Sequence, residues 1–189
     1  MHHTLPRHQC MIYEGLPSRH LQGLALTLIS KLKSNKRCLY LNSPMMVDEM
    51  SLMLISLGVN ISMETKKGSL ILASDQDHLV DGAFDVEKML DMLDTTLQSA
   101  LSDGYAGLWA TGDMTWELGS EKDMAKLFDY ERRLETYMER NPELSGICQY
   151  HRDTIPFRAI KIALHAHPAI YINDTLSRLN PDYHPVAAI

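Results

Sequence analysis

Gly104-Tyr105-Ala106-Gly107-Leu108-Trp109-Ala110-Thr111-Gly112-Asp113-Met114-Thr115-Trp116 is the stretch on which the fold turns. An apolar run over Tyr105 to Ala110 stops at Thr-Gly-Asp, and a helical pattern begins a few residues later. That pattern describes a buried parallel strand that delivers a carboxylate and an indole to its carboxyl end. In open α/β sheets, ligands bind in the crevice at those ends. Asp113 then either meets a cation or donor-bearing ligand or caps the next turn, a task Asp performs well.

Outward from this strand, strand and helix patterns alternate. His8 to Tyr13 is a short strand, and Leu21, Leu24, Ala25, Leu28 and Leu32 follow at helical spacing. Arg37 to Asn42 is a strand. Ser43-Pro44 supplies an N-cap and a first-turn proline for a helix with Met46, Met50, Met53 and Leu57 on one face, ending at Gly58. Ser69 to Ala73 is a strand, and Ser74 to Gly82 an acidic surface loop. Asp85 caps a helix striped by Val86, Met89, Leu90, Leu93, Leu97, Ala100 and Leu101, with Gly104 beyond its end. Ser120 and Asp123 open a helix to about Met138. Leu144 to Tyr150 is a strand, Pro156 to His165 a helix and Pro168 to Asn173 a last strand, before a polar tail over 174–189. This alternation predicts a three-layer α/β fold: one mostly parallel sheet with helices on both faces. The 189 residues suffice for a single domain spanning 1–189.

Composition narrows the function. A net charge of −6 without a Lys/Arg cluster argues against direct nucleic-acid binding. No apolar run is long enough to span a bilayer, and the first residues lack a signal-peptide pattern. The cysteines Cys10, Cys38 and Cys148 are odd in number and sparse, unlike a secreted disulfide framework, which predicts a cytoplasmic protein with reduced thiols.

Several residues are candidates for a site. Glu131 falls in register with the buried stripe Met124, Leu127, Phe128, Leu134 and Met138, where a carboxylate needs a partner, a polar pocket or a boundary position. His8 and Cys10 share one strand face, as do Cys148 and Tyr150, and His167 continues the stripe of Ile160 and Leu164. His8, Cys10, Cys148 and His167 are candidate ligands for a soft metal, although the spacing of a zinc finger is absent. A triad or an activated thiolate is not assignable, and no catalytic residue is named. The turn Glu14-Gly15-Leu16-Pro17-Ser18-Arg19-His20 lacks G-x-x-x-x-G-K-[ST]. Its proline removes a donor and Glu14 repels phosphate, which argues against ATP hydrolysis of the usual kind; Arg19 and His20 remain available to an anion.

His8-x-Cys10-x-x-Tyr13, Arg37-Cys38-Leu39-Tyr40-Leu41, the run from Gly104 to Trp116, Tyr130-Glu131, Cys148-Gln149-Tyr150 and His167-Pro168 together resemble the MEDS family, the methanogen/methylotroph sensory domain of histidine kinases and of a regulator of dichloromethane dehalogenation. The resemblance covers about residues 8–181. It implies a degenerate relative of RecA/KaiC-type ATPases with a broken phosphate loop. Asp113 then stands where a metal-associated acid would close the second nucleotide motif, and the Cys148 strand lies beside the His8–Tyr13 strand. The implied function is non-catalytic sensing of a small ligand such as a hydrocarbon derivative. Tyr13, Arg19, His20, Asp113, Trp116 and Glu131 would contact the ligand, supported by His8, Cys10, Cys148, Tyr150 and His167. The chain shows no kinase core and no helix-turn-helix, so either it is a fragment whose output domain lies elsewhere in a longer protein, or output passes to a signalling partner in trans, a histidine kinase or transcription regulator, or through a homo-oligomer. The cofactor is left unassigned. Two other readings stand beside this one: a nucleotide-binding protein with a non-standard phosphate loop, and a Cys/His metal or redox sensor.

Overall fold

Strands joined by helical crossovers must run parallel, and such strands are buried on both faces. The computed structural model, which describes residues 6–74, 79–80, 83–117 and 123–185, is built on this rule. Its main sheet has the order β3-β2-β6-β7-β1-β8-β9. Here β1 is His8–Tyr13, β2 Arg37–Asn42, β3 Leu70–Ser74, β6 Leu108–Asp113, β7 Leu144–His151, β8 Ala169–Asn173 and β9 Leu176–Leu179. Every pairing in it is parallel except β8 with β9. Two short strands, β4 (Leu79–Val80) and β5 (Ala83–Phe84), form a separate antiparallel pair.

The strand period of two sorts each strand between two cores. Met11 and Tyr13 of β1, Cys38 and Tyr40 of β2 and Trp109 of β6 pack on one face with α1 (Leu21–Lys33) and α2 (Pro44–Ser56). Cys10, Leu39, Leu41, Leu108, Cys148 and Tyr150 point the other way, toward α4 (Val86–Ser102), α6 (Met124–Arg140) and α7 (Phe157–Ala166). Most of the expected helical stripes are buried, with Leu21, Leu24, Ala25 and Leu28 on α1 and Met89, Leu93, Leu97 and Ala100 on α4, while Leu32, Val86 and Leu90 are half-buried and Leu101 is exposed. The α/β class and the layered, mostly parallel sheet follow as expected.

Several expectations are corrected. The central strand starts at Leu108, because Gly107 (φ 135°) breaks the run, and it continues through Asp113. A helix α3 (Ile61–Lys67), capped by the Asn60 side chain on Met63 N–H and closed by left-handed Gly68, fills a stretch the apolar period does not mark. The loop expected over 74–82 contains β4, and the polar tail contains β9. On α2, Leu54 is buried beside Met46 and Met50 in place of Met53 and Leu57. On α6 the buried face is rotated, so that Phe128 is exposed while Tyr130 and Glu135 turn inward. The Asp123 half of the expected cap is present, its carboxylate accepting from Ala125 and Lys126 N–H; Ser120 lies outside the described residues. Among the described residues, no single helix is long and apolar enough to cross a membrane.

A Cβ on Gly107 would sit 2.2 Å from the Glu143 carbonyl oxygen, in a backbone conformation that side chains rarely adopt. Gly107→Ala is therefore expected to lower stability by about 3 kcal/mol or more. Urea unfolding should show a lower midpoint with the slope unchanged.

Candidate functional site

The carboxyl ends of β1, β6 and β7 gather one cluster of polar side chains. Asp113, the last residue of β6, is buried and bonded through both oxygens. Its Oδ2 accepts from the Tyr13 hydroxyl at 2.5 Å, and its Oδ1 accepts from Thr115 N–H at 2.8 Å. Burial, reinforced by the Asp113 charge, raises the Tyr13 phenol above its ordinary value, so it remains a protonated donor. The Tyr13 ring stacks on His151 (centroids 4.9 Å, planes 6° apart) and lies 5.0 Å from the His20 ring. His151 donates its backbone N–H to the Thr115 hydroxyl at 3.2 Å; its ring Nδ1 lies 3.1 Å from the Thr154 hydroxyl, and its buried Nε2 has no hydrogen-bond partner, lying 3.7 Å from Asp153 Oδ2.

The turn after β1 is a 3₁₀ helix, Pro17–His20, entered through Leu16. Gly15 N–H, a donor that a phosphate cradle would use, is bonded to the Asp153 carboxylate at 2.8 Å. Arg19 is exposed. The His20 ring Nε2 lies 3.2 Å from the Glu14 carbonyl oxygen. Trp116 continues the short helix α5 (Met114–Glu117), and its side chain lies outside the described residues.

Glu131 does not join this cluster. It lies on the opposite face of the sheet, with the residues expected to support the site. In the β1/β7 register Cys10 is opposite Cys148, and His8 is opposite Gly146, which adds no side chain on that face. The His8 ring therefore sits beside Cys148, with its Nε2 3.6 Å from the Cys148 Sγ. From α6, Glu131 brings Oε2 to 3.6 Å from His8 Nε2 and 3.4 Å from His167 Nε2. The Tyr150 hydroxyl donates to Glu131 Oε1. Glu135, one turn along α6, accepts at Oε2 from His8 Nδ1 at 2.7 Å and at Oε1 from the Tyr183 hydroxyl at 3.1 Å. His167 Nδ1 donates to the Ala163 carbonyl at 2.8 Å. His8, Glu131, Cys148 and His167 each offer one ligand atom, all within 4.8 Å of one another. Cys10, expected in this set, is replaced by Glu131; its thiol is packed in the apolar core and pushed up to about 12 by burial and the Glu131 charge.

Glu135, His151 and Tyr183 were not singled out from the sequence. Glu135 carried a signal, since position i+4 from Glu131 shares its helix face. His151 and Tyr183 carried none, because each is placed by tertiary packing.

Complete burial sets the electrostatics. It raises Glu131 to about 8 and lowers His8 to about 3; His167 is held well below its usual value, first by burial and then by His8. The Tyr150 hydrogen bond offsets part of the effect on Glu131, and the Glu135 charge adds to it. A raised carboxylate stabilises the fold fully below its unfolded value, and this stability is lost as pH rises through the folded value. Lowered imidazoles act oppositely: their stability is complete above the unfolded value and is lost on acidification. The two slopes oppose each other between 4.5 and 6.5, and Glu131 continues to act above that. With metal ions removed by chelator, stability should decline from pH 6.5 toward pH 8. Glu131→Gln should flatten that decline in urea titrations run pH by pH; an unchanged alkaline limb would refute the assignment.

A family model, the methanogen/methylotroph, DcmR sensory domain, matches residues 7–168. No curated protein matches the chain. The match extends from just before β1 to the His167-Pro168 pair, so it takes in both clusters, and the chain belongs to the MEDS family of sensory domains.

Proposed function

We propose that this chain is a non-catalytic sensory module that binds a small ligand at the carboxyl ends of β1, β6 and β7 and signals to a partner protein. The single observation that carries this reading is the Tyr13–Asp113–His151 cluster. A buried carboxylate has one oxygen held by a single phenol and the other by Thr115 N–H, next to an imidazole whose buried Nε2 lacks a hydrogen-bond partner and lies 3.7 Å from Asp153 Oδ2. A small alcohol, amine or similar hydrocarbon derivative can displace the Tyr13 hydroxyl from Asp113 and donate in its place. Arg19 and His20 stand on the adjoining turn, and Trp116 follows on α5. Because Asp113 also caps Thr115, a change at its carboxylate is felt at the start of α5.

The scaffold reads as a RecA-like sheet whose phosphate loop has decayed. In support, β7 lies beside β1, an acid ends β6, and the β1 turn spends its Gly15 donor on Asp153. The output partner is a histidine kinase, a transcription regulator or a second copy of the chain. The three buried free thiols fit a reducing cytoplasm.

A ligand signals only if it binds two conformations unequally. Hydrogen exchange should therefore slow at the Pro17-containing turn and over Thr115–Gly119, of which Leu118 and Gly119 lie outside the described residues, when a ligand binds. A thermal-shift panel of short alcohols, amines and halogenated methanes supplies the probes, since a ligand specific to the native state raises apparent stability. At a concentration of 100 times its Kd, a hit gains about 2.7 kcal/mol. Asp113→Asn and Tyr13→Phe should each reduce that gain. A clear rise in melting temperature with ATP or GTP and Mg²⁺ would instead favour a nucleotide held by Arg19, His20 and Asp113.

A further inference from the structure

We propose that His8 Nε2, Glu131, Cys148 Sγ and His167 Nε2 form a closed four-coordinate site for a divalent zinc-class cation, buried between the sheet and helices α6 and α7. This site is on the face of the sheet opposite the Tyr13–Asp113 cluster and does not depend on the ligand reading above.

Four observations converge. The first is spacing. Zn–N and Zn–O bonds of about 2.0–2.2 Å and Zn–S bonds of about 2.3 Å place tetrahedral ligand atoms roughly 3.3–3.8 Å apart. His8 Nε2 to Glu131 Oε2 is 3.6 Å, His167 Nε2 to the same oxygen is 3.4 Å, and His8 Nε2 to Cys148 Sγ is 3.6 Å. Three of the six edges thus have tetrahedral length, and all four ligand atoms lie within 4.8 Å of one another.

The second is tautomer. Each imidazole uses Nδ1 outside the cluster, His8 toward the Glu135 carboxylate and His167 toward the Ala163 carbonyl. Both neutral rings thus turn an Nε2 lone pair inward. This is the arrangement by which outer hydrogen bonds fix ligating histidines. Tyr150 holds the other oxygen of Glu131, and Tyr183 that of Glu135, so the outer shell is satisfied.

The third is the inner shell. Glu131 Oε2 and His167 Nε2 are fully buried without hydrogen-bond partners, although they face each other. A cation accepts both lone pairs at once. The fourth is charge. A thiolate and a carboxylate neutralise a dication, which offsets the cost of placing it in a dry interior. The nitrogen, sulfur and oxygen set suits zinc over magnesium or calcium. All four ligands are protein side chains, so the site holds structure or senses the ion and leaves no position for a substrate.

The test is metal binding by the whole chain under reducing conditions. Zn²⁺ is supplied both to the folded protein and during refolding from denaturant, so that slow entry to a buried site does not mask binding. Elemental analysis after desalting should give one zinc per chain. Co²⁺ in its place should give a tetrahedral d–d spectrum with a thiolate charge-transfer band. Cys148→Ser should abolish that band, and Cys10→Ser, outside the set, should retain it. His167→Gln should weaken Zn²⁺ at least 100-fold in chelator competition, and Glu135→Gln, acting through His8, about 10- to 100-fold. Circular dichroism of each variant separates loss of the fold from loss of the ligand, and the wild-type cobalt spectrum decides the matter even if a variant fails to fold. The inference is overturned if refolded wild type retains no zinc. It is equally overturned if the cobalt spectrum lacks the thiolate band, which would assign the ion to other groups such as the exposed His165 and His184.

Discussion

The constraint on which the rest of this structure depends is the burial of Glu131. A carboxylate sealed from water in an apolar layer must be neutralised or bonded where it stands. Most of what surrounds it answers that demand. Tyr150 donates from β7, two imidazoles close in from β1 and the end of α7, and Glu135 steadies one of those rings. These contacts tie together four elements that the apolar core alone would hold less specifically. Polar groups in a core narrow the number of packings a chain can adopt, provided every member is satisfied. Two of its atoms, Glu131 Oε2 and His167 Nε2, face each other without a hydrogen bond, which gives the cluster its chemical interest.

The two faces of the sheet thus carry different chemistry. The α1/α2 side ends in a buried tyrosine–aspartate pair beside the β1 turn. The α6/α7 side holds a sealed set of soft and hard ligands. A strand period of two makes this division possible, since adjacent residues of β7 serve opposite sides. Cys148 and Tyr150 face the sealed set, while Gln149 between them donates to the Thr111 hydroxyl on the far side.

Much of the fold was legible in the sequence because the apolar period is strong on α1 and α4 and the strands read as nearly unbroken apolar runs. The failures have physical causes. The short helix α3 is set by a cap and a left-handed glycine rather than by a stripe. The strand β9 is short and mostly exposed, with Leu176 and Leu179 out of step with a period of two, so no strand pattern betrays it, and only pairing with β8 makes it a strand. At the site, Glu131 was legible as a carboxylate in an apolar stripe. Its partners were legible as face-sharing residues on separate elements. Which face Glu131 shares with which of them was not, because that depends on the β1/β7 register and the rotation of α6. The expectation that grouped it with Tyr13 and Asp113 placed it on the wrong side of the sheet for that reason.

The sealed cluster also has a kinetic meaning. His8 comes from the first strand, while its sulfur neighbour lies 140 positions later and its Glu135 partner 127 positions later. Contacts of such long range demand that most of the loop entropy be spent before they form. The cluster is therefore a late latch in the folding of this domain, and a chain still emerging from synthesis holds β1 without the neighbours that complete it.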